Sequence, residues 1–178
     1  MSPNYPSHDS VRWVLRALGA LRDESDVAVR LRPDSPVIPA DHLHPRIWDA
    51  AAPVWDTGEF GAALQQASIT LSAYIRAKAT SSLRDRKLVD QVFAPGLSKV
   101  GTPRLHFPGD PADESWQARQ QGLHLMAQGA FAGIRNIVAH EDGDWSEQEA
   151  LELLAVLSTI ARWVDCTELR VAADQAAN

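Results

Sequence analysis

Cysteine is almost absent from this chain of 178 residues, in which Cys166 is the single thiol. One cysteine excludes an intrachain disulfide, and because Cys166 falls in an apolar helical pattern we expect a buried thiol rather than a nucleophile. No run of about 18 apolar residues suggests a membrane span. The first ten residues, MSPNYPSHDS, have neither the basic nor the apolar region of a secretory signal. These absences predict a cytoplasmic protein without membrane contact.

The short motifs of several enzyme classes are also lacking. The chain contains no G-x-x-x-x-G-K, G-x-G-x-x-G, G-x-S-x-G or H-E-x-x-H pattern, which argues against nucleotide hydrolysis, dinucleotide binding, serine hydrolysis and zinc proteolysis. His42 and His44 lie two residues apart, and such side chains diverge on a helix. We therefore expect them to serve a helix start near Pro45, and we expect no metal and no cofactor.

Charge is unevenly distributed along a chain whose net charge is −6. That net charge argues against non-specific coating of nucleic acid, which depends on neutralising phosphates with Lys and Arg. Residues 76–104 nevertheless carry seven basic and two acidic side chains, whereas residues 141–178 carry nine acidic and two basic ones. Two solvated helix faces would produce this pattern. A phosphate-facing strip would also do so, with Arg84, Arg86 and Lys87 as candidate RNA contacts.

The chain divides into an N-terminal extension and one main domain. Apolar residues at spacings of three and four predict a helix over residues 11–24. Three prolines in residues 30–40, RLRPDSPVIPA, predict a linker after it, because proline removes a backbone donor and disfavours helix in the preceding residue. We therefore expect an extension over residues 1–40 and a helical domain over residues 41–178, which is long enough to bury a substantial core.

Helical periodicity continues through most of the main domain. Asp41 is the expected N-cap of a helix over 42–56, which a short turn joins to a long helix over 59–79. A shorter helix over 85–93 and a long loop over 95–113 follow.

A second long helix is predicted over 114–139, and Ser146 with Glu149 forms a capping-box pattern at the start of the final helix. No segment alternates convincingly with a period of two. The fold class is therefore all-α, a bundle of two helix hairpins with additions.

Arg135, Asn136 and His140 occur together where the second long helix should end. On a regular helix Asn136 and His140 share a face, while Arg135 and His140 lie about 140° apart, so a common groove requires the helix to loosen. Arginine suits phosphate, histidine exchanges a proton near neutral pH, and asparagine can orient either. The trio thus matches what metal-independent RNA cleavage requires, with a symmetric dimer supplying a second histidine.

A purely structural role for the same residues stays open. Arginine and histidine near a helix C-terminus are favoured by the helix dipole. Glu141, Asp142 and Asp144 follow directly, and these carboxylates would either cap the turn, hold His140 protonated, or repel RNA. Of the six tryptophans most are expected in the core or a dimer contact, and Trp145 is the candidate for base stacking.

The pattern Arg135-Asn136 followed by three residues and His140 resembles the signature of the HEPN superfamily, near the end of a late helix in an α-helical bundle. The wider match, which covers about residues 41–165, resembles the prokaryotic Ymh family of hypothetical proteins, themselves HEPN-like. It rests on the segments Leu43-His-Pro-Arg-Ile47, Glu59-Phe-Gly-Ala-Ala-Leu64, Ala67, Gln121-Gly122, Gly129-Ala130 and Gly133-Ile-Arg-Asn-Ile-Val-Ala-His140.

The resemblance implies a dimeric, metal-independent endoribonuclease of toxin–antitoxin, abortive-infection or antiviral defence systems. Arg135 and His140 would be its catalytic pair, and Asn136 the polar residue between them. A neutralising antitoxin or another defence-system protein would be the partner, beside RNA itself. Two alternatives stay open: an inactive HEPN-like module that binds a partner protein through residues 141–178, and a structural dimer that binds nucleic acid through residues 76–104 without cutting it.

Overall fold

Five α-helices and one short pair of strands make up the described part of the chain, which in this computed structural model comprises residues 39–96, 100–135 and 145–172. This architecture confirms the all-α fold class. The elements, in chain order, are α1 Pro45–Trp55, α2 Phe60–Ala79, α3 Asp85–Val92, β1 Arg104–His106, α4 Glu114–Ala130, a π-helical turn Phe131–Arg135, α5 Glu147–Asp165 and β2 Glu168–Arg170. None of the helices described here is both long and apolar enough to cross a membrane.

The core lies between α1, α2, α4 and α5. Helix α2 packs against α1 and α5, and α5 also packs against α1 and α4. The buried side chains recur at helical spacing on each element, and burying each large one contributes about 1.5–3 kcal/mol. The largest fully buried side chains of these helices are Ile47, Leu64, Leu71, Ile75, Leu123, Leu154, Leu157 and Ile160.

The start of α1 corrects the expected N-cap. His44, not Asp41, caps the helix, because its Nδ1 accepts a hydrogen bond of 3.2 Å from the backbone N–H of Arg46. Pro45 is the first helical residue, and proline keeps the residue before it out of the helical region, which makes His44 the boundary. Residues Ala40–His42 form a separate 3-10 turn. The expected helix-start role of the histidines near Pro45 is confirmed for His44.

The start of α5 confirms the capping box. The backbone N–H of Glu149 donates to Ser146 Oγ at 3.3 Å, and the backbone N–H of Ser146 donates to Glu149 Oε2 at 3.1 Å. These two bonds satisfy donors that a helix terminus leaves free. The local sequence was sufficient for this feature, since both partners lie within one turn.

The small sheet was not predicted. Strand β1 pairs antiparallel with β2, so that Leu105 lies opposite Leu169, and β1 occupies part of the predicted loop over 95–113. Strands of three residues are too short for a period of two to be recognised. The sheet brings the end of the described chain back against the segment that precedes α4.

The second long helix changes its hydrogen-bonding pattern before it reaches the Arg-Asn-His cluster. α4 ends at Ala130, and the residues Phe131–Arg135 form a π-helical turn. Such i→i+5 turns are rare and occur mostly within α-helices, often at functional sites. This turn contains Arg135 itself, and the loosening expected near His140 falls on residues that lie outside the described ranges. Residues 136–139 of the predicted helix lie outside the described residues.

Cys166 contradicts the expectation of a buried thiol. It is the C-cap residue of α5 and is exposed. The buried face of α5 ends at Val164, which is fully buried. The apolar pattern of the helix was extended two residues too far, across the point where the chain leaves the core.

Candidate active site

Arg135 is the last residue of the π-helical turn, and its side chain is 30% exposed. Its Nε lies 3.1 Å from Oδ1 of Asp85, which makes an ion pair between the turn and the first residue of α3. Among the described residues, however, this buried Nε has no partner with hydrogen-bond geometry. Asp85 therefore neutralises Arg135 without occupying the donors of its guanidinium fork in full.

Asp85 adopts a backbone conformation that is unusual for its position. Its φ is +52°, in the left-handed region, although it is the first residue of α3. For a residue with a Cβ this conformation costs about 1–2 kcal/mol, and aspartate is one of the few non-glycine residues that adopt it regularly. The carboxylate accepts a hydrogen bond of 3.3 Å from Ser72 Oγ, and the positive end of α3 also stabilises it. Strained residues of this kind are concentrated at functional sites.

A cavity of about 90 Å³ surrounds this ion pair. It is far smaller than the ~300–1,000 Å³ of a typical pocket for a drug-sized ligand, and its size is that of a small polar group or a few waters. Among the described residues, the lining contains three arginines and one aspartate, a formal charge of +2. The lining residues are Ile69, Ser72, Ala73, Arg76, Arg84, Asp85 and Arg135.

The predicted site residues are partly brought together. Arg135 and Arg84 line the same cavity, although they are 51 positions apart in the chain. Asn136 and His140 lie outside the described residues. Arg86 and Lys87 are exposed on α3 outside the cavity lining, and Arg86 Nε lies 3.8 Å from Asp90 Oδ2. The strip proposed from charge alone therefore separates into one arginine at the cavity and two basic residues on the open surface.

Trp145 lies two residues before α5 and packs against α2. A Cβ placed on Gly61 of α2 would lie 3.0 Å from Cδ1 of the indole, so the ring lies directly against the backbone of that helix. The side chain packs on the hydrophobic core, as do those of Trp48, Trp55, Trp116 and Trp163. The core placement expected for most tryptophans is confirmed for these five, while base stacking by Trp145 stays a prediction.

A second polar cluster ties the start of α1 to the end of α5. The buried His44 accepts from a backbone N–H at Nδ1, so Nε2 carries the proton that it donates to Asp165 Oδ2 at 2.9 Å. The hydroxyl of Tyr74 donates to the other carboxylate oxygen. Lys78 Nζ donates to the carbonyl oxygen of Val164 at 2.6 Å and of Asp165 at 3.1 Å. This cluster joins three helices.

Burial and hydrogen bonds in this second cluster shift the pKa values of Tyr74 and Asp165. Burial alone would raise the pKa of Asp165, but the hydrogen bonds from Tyr74 and His44, with the charge of Lys78, outweigh it and lower that pKa below 3.8. Burial, together with the hydrogen bond to Asp165, raises the pKa of Tyr74 to about 12. Tyr74 is therefore a permanent donor at neutral pH, a structural task rather than the exchange of a proton.

Burial lowers the pKa of two further described histidines, His106 and His124. His106 is buried, and its Nε2 lies 2.8 Å from the carbonyl oxygen of Ala94. Within the ranges that the structure describes, no group of three or more His, Cys, Asp or Glu side chains is arranged to hold a metal ion.

Ser72, Arg76 and Asp85 were not among the predicted site residues. Ser72 and Arg76 are four apart, so they share a face of α2, which is a usable signal for a polar face on a long helix. Nothing local marks Asp85, because its partner Arg135 lies on a different element. Because Asp85 lies between two basic residues, the sequence showed it only as an acidic residue within a basic segment.

Comparisons with known proteins add one result. A family model described as "Protein of unknown function (Hypoth_ymh)" matches residues 41–164. No curated protein and no solved structure matches the chain. The matched range begins before α1 and ends one residue short of the end of α5, so it includes the cavity and every residue that lines it. Since the match covers more than half of the sequence, the chain belongs to the Hypoth_Ymh family.

Proposed function

We propose that the protein is a metal-independent endoribonuclease of the HEPN type, a cytoplasmic toxin or antiviral defence effector that acts as a homodimer. The observation that carries this proposal is the placement of Arg135, the arginine of the R-N-x3-H pattern. It lies at the end of a π-helical turn and lines a cavity with Arg76 and Arg84. Guanidinium groups bind a phosphodiester and stabilise the charge that develops on it during cleavage. Proton transfer is assigned to His140, which lies outside the described residues.

In the proposed reaction the ribose 2′-hydroxyl attacks the adjacent phosphorus while the bond from phosphorus to the 5′ oxygen breaks. His140 moves the proton, Arg135 stabilises the charge that develops on the phosphoryl oxygens, and Asn136 orients the reacting groups. The products are a 2′,3′-cyclic phosphate and a free 5′-hydroxyl. One histidine does not readily serve as both base and acid, and a symmetric dimer supplies the second copy.

The test is RNA cleavage by the purified full-length chain in the presence of EDTA. His140→Ala should reduce the rate at least about 100-fold, the scale of general acid–base catalysis. Arg135→Gln should reduce it about 100- to 1,000-fold, the scale of a lost transition-state donor. Arg162→Gln is a control for the loss of an arginine, because Arg162 Nη2 donates to the His42 carbonyl oxygen far from the pattern in sequence. Cleavage that survives His140→Ala unchanged would exclude the mechanism.

A second function is favoured by a different observation. The first turns of α5 expose Glu147, Glu149 and Glu152, and Arg135 is already neutralised by Asp85. We therefore keep as the alternative an inactive HEPN-like module that binds a basic partner protein as a regulatory subunit. Complex formation that is lost on Glu147→Gln and Glu152→Gln, together with no cleavage under any metal condition, would support the module.

A further inference from the structure

The cavity has more positive charge than one catalytic arginine requires. Arg76 comes from α2, Arg84 from the residue before α3, and Arg135 from the π-helical turn, so three separate elements each place an arginine in the lining of one cavity. Within the ranges that the structure describes, the guanidinium groups of Arg76 and Arg84 have no carboxylate partner. Like charges that lie close together repel one another, and an anion held between them relieves that repulsion.

Among the described residues of that lining, Asp85 is the only acidic one. Its carboxylate forms an ion pair with Arg135 and accepts a hydrogen bond from the hydroxyl of Ser72. An oxygen of a bound phosphate would make the same two interactions. The left-handed backbone conformation of Asp85 shows that the chain holds this side chain there at a cost. The ion pair also leaves Arg135 Nε without a properly aligned acceptor, so the carboxylate is an incomplete substitute for a tetrahedral anion.

We propose that this cavity is a phosphate subsite for the RNA backbone, held by Arg76 and Arg84 beside Arg135, and that Asp85 occupies it until a phosphodiester displaces the carboxylate. The inference rests on the proposed function for its ligand, since it takes the phosphate to belong to RNA. It adds Arg76 and Arg84 as binding residues and Asp85 as a competing residue. None of the three belongs to the R-N-x3-H pattern, although Arg84 was a predicted RNA contact. The cavity volume of about 90 Å³ accommodates a phosphate but not a drug-sized ligand.

The competition is tested with a fluorescent 2′-O-methyl oligoribonucleotide, which cannot be cut by 2′-hydroxyl attack, in an anisotropy titration. Asp85→Asn keeps the size of the side chain and removes the charge, so the oligonucleotide should bind about five-fold more tightly. Asp90→Asn removes the same charge from the same helix outside the cavity and should change the affinity less than about two-fold. Equal or weaker binding by Asp85→Asn would show that Asp85 positions Arg135 rather than competing, and would overturn the proposal.

The arginines are tested in the same titration. Arg76→Gln and Arg84→Gln should each weaken binding at least about tenfold, the scale of a charge-assisted hydrogen bond. Arg86→Gln is the matched comparison, because Arg86 lies two residues from Arg84 and outside the cavity lining. If Arg86→Gln weakens binding as much as Arg84→Gln, an open basic strip binds the RNA and the cavity does not. Thermal unfolding of each variant establishes that it is folded.

Competition by inorganic phosphate tests whether the subsite binds the phosphate group itself. Phosphate should compete with the oligonucleotide in the wild type and compete more strongly in Asp85→Asn, and an absence of competition would contradict a phosphate subsite. If binding changes as expected in all these variants but the protein cuts no RNA, the phosphate subsite is supported and the ribonuclease function is excluded. If cleavage depends on His140 but Asp85→Asn, Arg76→Gln and Arg84→Gln all bind with wild-type affinity, the ribonuclease function is supported and the phosphate subsite is excluded.

Discussion

At the scale of single residues, Asp165 shows how much of the architecture depends on one carboxylate. It is the last residue of α5, yet it binds His44 before α1 and Tyr74 within α2. His44 in turn caps α1 and donates its own backbone N–H to Ser158 Oγ at 2.7 Å. The beginning and the end of the helical core are therefore joined by polar contacts as well as by the apolar core.

Tyr74→Phe should reveal this contribution through its dependence on pH. The lowered pKa of Asp165 means that its carboxylate stabilises the fold above about pH 4 and that this stabilisation is lost as pH falls through the folded-state pKa. At pH 7 the variant should lose about 1 kcal/mol of unfolding free energy, because the carboxylate is half exposed. Near pH 3 the difference from wild type should shrink. Urea unfolding at both pH values measures this.

Asp165→Asn provides the companion variant. Adding Tyr74→Phe to Asp165→Asn should cost clearly less at pH 7 than adding it to the wild type, because the charged acceptor is already gone. Equal losses in the two backgrounds would contradict a stabilising bond between the two side chains.

Individual residues could be predicted from the sequence only where their partners are close in the chain. Arg135 was selected by its neighbours Asn136 and His140, and Ser146 by Glu149 three residues later. Asp85 and Arg135 are separated by 50 positions, and their contact depends on how α3 packs beside the π-helical turn. No periodicity or spacing contains that information.

At the scale of elements, one buried amide hydrogen-bonds to the backbone within and just after β1 and at the end of α3. Gln120 of α4 is fully buried. Its Oε1 accepts from the Phe107 N–H at 3.2 Å, and its Nε2 donates to the carbonyl oxygens of Phe93 at 2.9 Å and Leu105 at 3.1 Å. It therefore joins the end of α3 to the segment that contains β1.

Gln120→Leu should destabilise the protein by about 2–4 kcal/mol. The substitution nearly preserves volume but leaves a buried N–H and two buried carbonyl oxygens without this partner. Gln117→Leu is the matched control: it is on the same helix and exposed, and should cost less than about 1 kcal/mol. Urea unfolding of both variants gives the comparison, and equal losses would show that the buried amide does not hold these segments together.

Most element boundaries could be predicted because local chemistry sets them. The bounds of α2 and α3 and the start of α5 follow from apolar periodicity and a capping box. The cap of α1 was assigned to the wrong residue, because Asp41 is a common N-cap type whereas a histidine cap is recognised only from Pro45 behind it. The β1–β2 pair and the π-helical turn depend on tertiary contacts, and the sequence alone did not indicate them.

At the scale of the whole molecule, the proposed dimer requires a surface next to the cavity. Ile69 of α2 lines the cavity and is 46% exposed. A dimer that brings two catalytic clusters together at this cavity would cover this side chain. Val156 of α5 is 37% exposed and lies outside the cavity lining.

Ile69→Lys should therefore weaken dimerisation at least about tenfold, because it places a charge in the expected interface. The same substitution at Val156 should leave the dimer dissociation constant within about two-fold. Sedimentation equilibrium over a range of protein concentrations measures both constants. If Ile69→Lys dimerises like the wild type, any dimer uses a different face and the two clusters do not meet across this one.

We propose that this chain cuts RNA by attack of a 2′-hydroxyl, with Arg135 and His140 as its catalytic pair. The most direct measurement incubates two RNA oligonucleotides with the full-length protein in EDTA. The first is all-ribose, and the second has the same sequence with one 2′-deoxy residue at the position where the first is cut. We expect the first to yield a 2′,3′-cyclic phosphate and the second to stay intact at that position. Cleavage of both at equal rates, or of neither under any condition, would contradict the account.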